Sequence, residues 1–208
     1  GASSGLGVQM AKAFALQGAD LAIMARRKEK LEAVATEIRA LGVKCLPVTC
    51  DVTDTDAIVK ATEAIEKEYG RVDIVINNAG NGHVGPAIET KDEDWNWNVD
   101  LDLTSVFKVS REFAKIMMKN NYGRIINISS MYGLVGNMAL PSSSYHAAKG
   151  GVVNLTRALA AEWAPNGITV NCICPGYFET ELTVDTLKTD SFSEYMKATV
   201  PLGRYGNE

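Results

Sequence analysis

Tyr145 and Lys149 stand four residues apart, a spacing that puts a phenol and an ammonium on the same side of a helix. A free phenol titrates near pH 10, and a positive charge beside it favours the phenolate. A pair of this kind can take a proton from an alcohol or return one to a carbonyl oxygen. The chain also opens with Gly1-Ala2-Ser3-Ser4-Gly5-Leu6-Gly7, a glycine-rich turn ahead of a helical pattern. Its glycines let the backbone bend tightly and approach a pyrophosphate, and the helix N-terminus offers free N–H groups to an anion. The spacing is Gly-x-x-x-Gly-x-Gly rather than Gly-x-Gly-x-x-Gly, so a plain N-terminal loop is the competing explanation.

The strand that follows one helix later bears on the cofactor. Dinucleotide sites for NAD(H) usually carry an acidic residue at the far end of that strand, on the ribose 2′-hydroxyl. Here Asp20 opens the strand, at the wrong edge of a sheet, and the strand ends in Ala25-Arg26-Arg27. Guanidinium groups make charge-assisted, often bidentate bonds to phosphate oxygens. Arg26 and Arg27 therefore favour NADP(H) with its 2′-phosphate, with NAD(H) as the alternative if both arginines are merely solvated.

The elements that must position these groups alternate. Short β-branched runs at residues 20–25, 43–48, 72–77, 124–129 and 168–172 are separated by helical patterns at 6–17, 28–41, 55–69, 95–119 and 144–163. Glycines at 18, 42, 70 and 123 and the run Pro165-Asn166-Gly167 punctuate them. This rhythm predicts an α/β Rossmann-type fold, a doubly wound parallel sheet with helices on both faces. With no repeat or linker, residues 1–208 read as a single dinucleotide-binding domain. A strand normally precedes such a glycine turn, and a helix and strand would normally follow residue 208. The reading is therefore of a chain incomplete at both ends, whose sheet has a gap where its central strand would lie.

Composition narrows the function classes. A formal charge of -4 argues against a nucleic-acid partner, which selects a basic face. No apolar run reaches the roughly 18 residues of a membrane span and no signal peptide opens the chain, so a soluble cytoplasmic protein is expected. Cys45, Cys50, Cys172 and Cys174 lack the spacing of a zinc or CxxC site; no metal is expected, and buried strand thiols are the simpler account.

Taken together and in order, residues 1–7, Asp51 in Cys-Asp-Val, Asn77-Asn78-Ala79-Gly80, Ser130, Tyr145-x-x-x-Lys149 and Pro175-Gly176 resemble the short-chain dehydrogenase/reductases. The resemblance implies a catalytic set of Ser130, Tyr145 and Lys149, with Ser130 holding the substrate oxygen and Lys149 also binding the nicotinamide ribose. Ser129 is the neighbouring rival of Ser130. It implies further that Asp51 accepts from the adenine amino group, that Val52 supplies a backbone donor, and that Asn78, Ala79 and Gly80 line the adenosine ribose. Pro175, Gly176 and Thr180 would contact the nicotinamide.

Two departures stand out. Ser130 and Tyr145 are farther apart than is commonest in the family, which predicts a longer loop at 138–144 beside the substrate. Where the family usually has Asn, in a relay through bound water, this chain has Asp102; its charge is expected to pair with Lys149, and Asn98 one turn earlier is a second polar candidate. Asp102 as a mere capping or surface carboxylate is the alternative.

Residues 177–200 are expected to cover the substrate. That run, Pro201-Leu202-Gly203-Arg204-Tyr205-Gly206 and Asp102 resemble gluconate 5-dehydrogenases and related sugar-acid or polyol reductases, implying a small carbonyl or alcohol substrate. The alternatives are a 3-oxoacyl-[acyl-carrier-protein] reductase and, in another class, a non-catalytic dinucleotide sensor. His83, Asn137, His146, Tyr177 and Arg204 are candidate substrate contacts, although both histidines read more readily as ordinary loop and helix-surface residues. The resemblance implies a homodimer or homotetramer built on the helices carrying Val106, Phe113, Met117, Val152, Val153 and Leu159, a stripe that would serve equally as intrachain core.

Overall fold

A computed structural model of the chain describes residues 1–138, 140–181 and 183–206. The glycine turn leads into α1 (Gly5–Leu16), then β1 (Leu21–Ala25), α2 (Lys28–Arg39), β2 (Cys45–Thr49), α3 (Thr55–Tyr69) and β3 (Ile74–Asn77). After these come α4 (Asp92–Val99), α5 (Ser105–Lys119), β4 (Gly123–Ile128), α6 (Ser143–Trp163) and β5 (Ile168–Ile173). Two short helices, α7 (Val184–Leu187) and α8 (Asp190–Thr199), close the described chain.

Every strand pairing is parallel. Leu21 lies opposite Cys45 in β1–β2, Ile74 opposite Arg124 in β3–β4, and Gly123 opposite Ile168 in β4–β5. Among the described residues the strands form two separate sheets, β1–β2 and β3–β4–β5. Between β1 and β3 runs a largely apolar cleft of about 550 Å³, lined by both strands and by Met10, Phe14, Val109 and Phe113. The sheet of this Rossmann-type fold is thus divided where the sequence implied a gap. Parallel strands fed by covering helices bury both faces, which explains the dense β-branched runs. Ile23, Leu31, Val34 and Ile38 pack together around β1 and α2, and Ile58, Val75, Phe113, Met117, Ile125 and Ile168 form the larger core.

Differences from the sequence reading are local. The helix expected over 95–119 starts at Asp92 and is interrupted by a π-helical turn over Asp100–Thr104. In that turn the Ser105 hydroxyl donates to the Leu101 carbonyl at 2.5 Å, and Leu101 and Asp102 point inward. Single π turns inside helices re-aim side chains in this way. The strand expected from 72 begins at Ile74, although the Asp73 carbonyl still accepts from the Arg124 N–H at 2.8 Å and its carboxylate accepts from Arg71 Nε at 2.9 Å. Pro47 is accommodated because β2 is an edge strand. Val106, Phe113, Met117, Val152 and Leu159 are buried within this chain, so that part of the apolar stripe on α5 and α6 is core, while Val153 is half-buried. Cys45 and Cys50 are buried thiols, whereas Cys172 and Cys174 are only half-buried. Among the described residues no helix is long and apolar enough to cross a membrane.

A buried polar relay joins the larger sheet to its helices. Asn77 Nδ2 donates to Ser110 Oγ and to Asn127 Oδ1, both at 2.8 Å, and Asn127 Nδ2 donates to Thr156 Oγ1 at 2.9 Å. Asn127 is fully enclosed, so its loss would strand partners that water cannot reach. Asn127→Ala is expected to destabilise the chain by about 2–3 kcal/mol, read as a lower urea midpoint with an unchanged slope; an unaltered midpoint would show that the relay contributes no net stability.

Candidate functional site

The C-terminal ends of all five strands open on one cleft of about 700 Å³, the place where parallel α/β sheets hold ligands. Every catalytic and cofactor-binding residue expected from the sequence lines it except Gly7. Gly7 lies behind the turn, where a side chain would collide with the Gly1 carbonyl, 2.0 Å from an added Cβ. The Asn78 amide braces the same carbonyl at 3.0 Å, so the segment after β3 holds the glycine turn in place.

At this end of the cleft the two arginines differ. Arg27, the N-cap of α2, folds over the turn; its Nη2 donates to Ser4 Oγ at 2.7 Å and its Nε to Ser3 Oγ at 3.3 Å. Arg26 points to Asp51 at 3.9 Å and stays more exposed. Asp51 Oδ1 accepts from the backbone and hydroxyl of Thr53 at 3.0 and 2.8 Å. That backbone bond is the main cause of an Asp51 carboxyl held below its usual range. Leu6, Val52 and Ala79 complete the wall.

The opposite end holds the phenol and ammonium. Lys149 and Tyr145 project from α6, with Lys149 Nζ 5.6 Å from the Tyr145 ring centre. Nζ donates to the Ile128 carbonyl at 3.1 Å and pairs with Asp102 Oδ1 at 3.0 Å. Asp102 is wholly buried and sits in the π turn, so it is neither a cap nor a surface carboxylate. Its oxygens accept from the Asn81 N–H at 3.3 Å and from Asn98 Nδ2 at 2.5 Å. Burial pushes the Asp102 carboxyl above its ordinary value, against the opposing pull of Lys149. The space is tight: a Cβ on Gly80 would lie 2.4 Å from Asp102 Oδ1 and 3.1 Å from Lys149 Nζ, so only glycine lets the chain pass.

Ser129 and Ser130 are separated by what they touch. The Ser129 hydroxyl donates to the Lys149 carbonyl at 2.8 Å and fastens α6 to β4. Ser130 Oγ accepts from the Tyr132 N–H at 3.2 Å, which leaves its own proton free to point into the cleft. Met131 N binds the Pro175 carbonyl at 3.0 Å, so Pro175 and Gly176 border the same end. Thr180 lines the cleft beside Gly5.

Tyr132 has no counterpart in the sequence reading, whereas Tyr177 was a candidate substrate contact. Tyr132 and Tyr177 join hydroxyls at 2.5 Å, and Phe192 meets Tyr177 edge-on, giving the cleft an aromatic wall. Burial raises both tyrosine hydroxyls above their ordinary range; their shared hydrogen bond adds to the rise at Tyr132 and opposes it at Tyr177. Glu181, also missed, reaches Arg27. Asn98 turns from a second candidate into a hub: its Oδ1 accepts from Ser144 Oγ at 2.9 Å and its Nδ2 also reaches the Asn81 carbonyl at 2.9 Å. Of the candidate substrate contacts, His83 and Tyr177 line the cleft. His146 instead stacks on Tyr132, with Nδ1 at the Ser142 carbonyl, Asn137 bonds Leu140 and the Tyr195 hydroxyl, and Arg204 bonds the Tyr205 carbonyl. In the loop at 138–144, Ala139 lies outside the described residues.

The family model of the short chain dehydrogenases matches residues 1–191. The chain is 34% identical over 206 residues to a gluconate 5-dehydrogenase from Gluconobacter oxydans, an alignment covering 99% of this chain and 80% of that one. It is 35% identical over 209 residues to a 3-oxoacyl-[acyl-carrier-protein] reductase from Staphylococcus aureus, covering all of this chain and 83% of the relative. Among solved structures, a gluconate 5-dehydrogenase from Burkholderia cenocepacia in complex with NADP and tartrate superposes with a TM-score of 0.94 at 32% identity, covering all of this chain and 80% of that one. A glycine turn, a cleft at the strand ends and a Tyr–Lys pair held beside a serine are thus found in a chain that belongs to the short-chain dehydrogenase family of oxidoreductases.

Proposed function

We propose that this oxidoreductase, acting as one dinucleotide-binding domain, interconverts a secondary alcohol and a ketone with NADP(H). The observation that carries the reading is Lys149, buried beside Tyr145 and fixed by Asp102 and Ile128. The cleft fits a phosphorylated dinucleotide by its donors: the N–H groups opening α1, the hydroxyls of Ser3 and Ser4, and the Arg27 guanidinium. Bound there, the nicotinamide would supply or accept the hydride.

The protein's own groups then have separate tasks. Tyr145 returns the proton to the alkoxide formed in reduction, or takes it from the alcohol in oxidation. Ser130, with its lone pair engaged by Tyr132 N–H, directs its proton to the substrate oxygen. An ammonium has three protons; Asp102 and Ile128 take two directions, and the third serves the ribose and the phenol. Asp102 holds Lys149 and tempers its charge. Asp51 and Val52 would meet the adenine, Arg26 would flank it, Asn78 and Ala79 the ribose, and Pro175, Gly176 and Thr180 the nicotinamide.

For the substrate, a sugar acid or polyol such as gluconate and 5-ketogluconate is supported by the named relatives and by the hydroxyl-bearing wall of Tyr132 and Tyr177. A 3-oxoacyl thioester is the second reading, supported by a relative of similar identity. Following NADPH absorbance with 5-ketogluconate and an acetoacetyl thioester decides between them: the keto-sugar acid is expected to turn over faster. Reduction of neither, nor of a wider carbonyl panel, despite NADPH binding would favour a dinucleotide sensor. Exposed Trp95, Trp97 and Phe107 on α4 and α5 support a homodimer or homotetramer, and sedimentation would report the assembly.

Tyr145→Phe should lower kcat/KM by about 10²–10⁴-fold while NADPH titration gives wild-type affinity; retained turnover would remove Tyr145 from proton transfer. Asp102→Asn deletes the negative charge beside Lys149, strengthening the ammonium's pull on the phenol. Its oxidation rate should therefore rise at a lower pH than wild type, by about one unit. Below the raised Asp102 pKa the wild-type carboxyl is itself neutral, so the two profiles should converge in acid. Superimposable profiles at all pH values would take Asp102 out of the proton path.

A further inference from the structure

The cofactor end of the cleft already converges on one anion. Arg27 Nη1 lies 3.2 Å from Glu181 Oε1 and Nη2 3.1 Å from Oε2, a bidentate fork, and Lys30 Nζ lies 2.8 Å from Oε1. The same guanidinium holds the hydroxyls of Ser3 and Ser4. Planar bidentate guanidinium, ammonium and hydroxyl are equally the donor set for a phosphate monoester. A carboxylate and a phosphate cannot both take the Nη atoms of one arginine in this geometry.

Glu181 is delivered by a preformed turn. Thr180 N donates to Thr183 Oγ1 at 3.0 Å, Thr183 Oγ1 donates to the Phe178 carbonyl at 2.5 Å, and Val184 N returns to the Thr180 carbonyl at 3.0 Å. The turn rests on the phosphate loop, since a Cβ added to Gly5 would lie 3.3 Å from Thr180 Cβ. The ion pair therefore spans 154 residues of sequence and straps the start of α7 to the corner between β1 and α2. Arg27 first, then Lys30 and Ser4, pull the Glu181 carboxyl down to about 2, so it is an anion at any working pH.

We propose that Glu181 is an internal competitor for the adenosine 2′-phosphate: it occupies Arg27 and Lys30, and a 2′-phosphorylated dinucleotide displaces it and frees the segment leading into α7 and α8. This rests on the NADP(H) reading and adds to it a residue that sets cofactor selectivity. Glu181 weakens 2′-phosphorylated ligands and leaves unphosphorylated ones alone. Its pairs are half-exposed, so the effect is modest.

Calorimetric titration of NADPH and NADH into wild type, Glu181→Gln, Arg27→Ala and the double variant tests it. Glu181→Gln should tighten NADPH about fivefold and leave NADH unchanged, and the gain should vanish in the Arg27→Ala background. If Arg27→Ala weakens NADPH but Glu181→Gln does not tighten it, or tightens NADH equally, the competitor is refuted while the cofactor reading stands. If Arg27→Ala leaves NADPH untouched, the 2′-phosphate reading fails and takes the proposal with it. Hydrogen exchange on the wild-type chain gives a second measure. Adenosine 2′,5′-bisphosphate, but not adenosine 5′-monophosphate, should speed exchange in residues 184–199; slowed exchange there would mean that the phosphate closes the strap, and would overturn the displacement.

Discussion

An ammonium withdrawn from water costs several kcal/mol unless an opposite charge and further hydrogen bonds meet it. Lys149 is 4% exposed and Asp102 not at all, and their 3.0 Å contact is the constraint around which the reacting end is built. The pair leaves oxygens and protons still to be satisfied. Ile128, Asn81 and Asn98 supply them, and Asn98 is in turn fixed by Ser144 on α6 and by the His83 N–H. The π turn, the glycine at 80 and the anchoring of α6 by Ser129 follow from bringing the carboxylate and ammonium into the same small space. Removing either partner alone would leave a buried charge, which is why the departure from asparagine to aspartate is not a neutral exchange here.

The sheet serves that constraint from the outside. Parallel strands bring their C-terminal ends to one edge, so residues far apart in sequence meet without any long loop. Since Asn77, Asn127 and Thr156 tie β3 and β4 to α6, and β5 pairs with β4, the segments after the three strands, carrying Asn78, Ser130 and Pro175, share one frame. The smaller sheet carries Arg26, Arg27 and Asp51 in a second frame. Among the described residues Asn78 links it to the first near the turn, through the Gly1 carbonyl, and Tyr69 reaches the Leu21 carbonyl at the other end of β1.

Periodicity and turn residues made most of this fold legible. The helix at Thr55–Tyr69 coincides with its sequence pattern because Asp54 caps its start, accepting from Asp56 and Ala57, and Gly70 ends it in a left-handed turn. The π turn was hidden because one widened turn barely disturbs a 3.6-residue pattern. Neighbouring residues of like chemistry were also indistinguishable: nothing in Arg26-Arg27 or Ser129-Ser130 tells which side chain faces the cleft, whereas three-dimensional contacts separate both pairs at once. Asn98 stands in the sequence only as a second polar candidate, and its i, i+4 spacing to Asp102 is the signal for a shared face. Glu181 carried no local signal at all, since its meaning depends on an arginine 154 residues away.

The two ends of the cleft use the same chemistry, cation against carboxylate, to opposite effect. Buried at 4% and 0% exposure, Lys149 and Asp102 have no solvent to exchange with, so the pair acts as a fixed point that can hold a ribose or tune a phenol without moving. Arg27, Lys30 and Glu181 are about half-exposed, where water competes for each charge and a pair is worth little. An interaction that weak is a poor foundation for a fold, but it can be replaced by an incoming phosphate at small cost. Rigidity therefore belongs at the phenol end of the cleft and replaceability at the arginine end. The difference is set by depth in the cleft rather than by residue type.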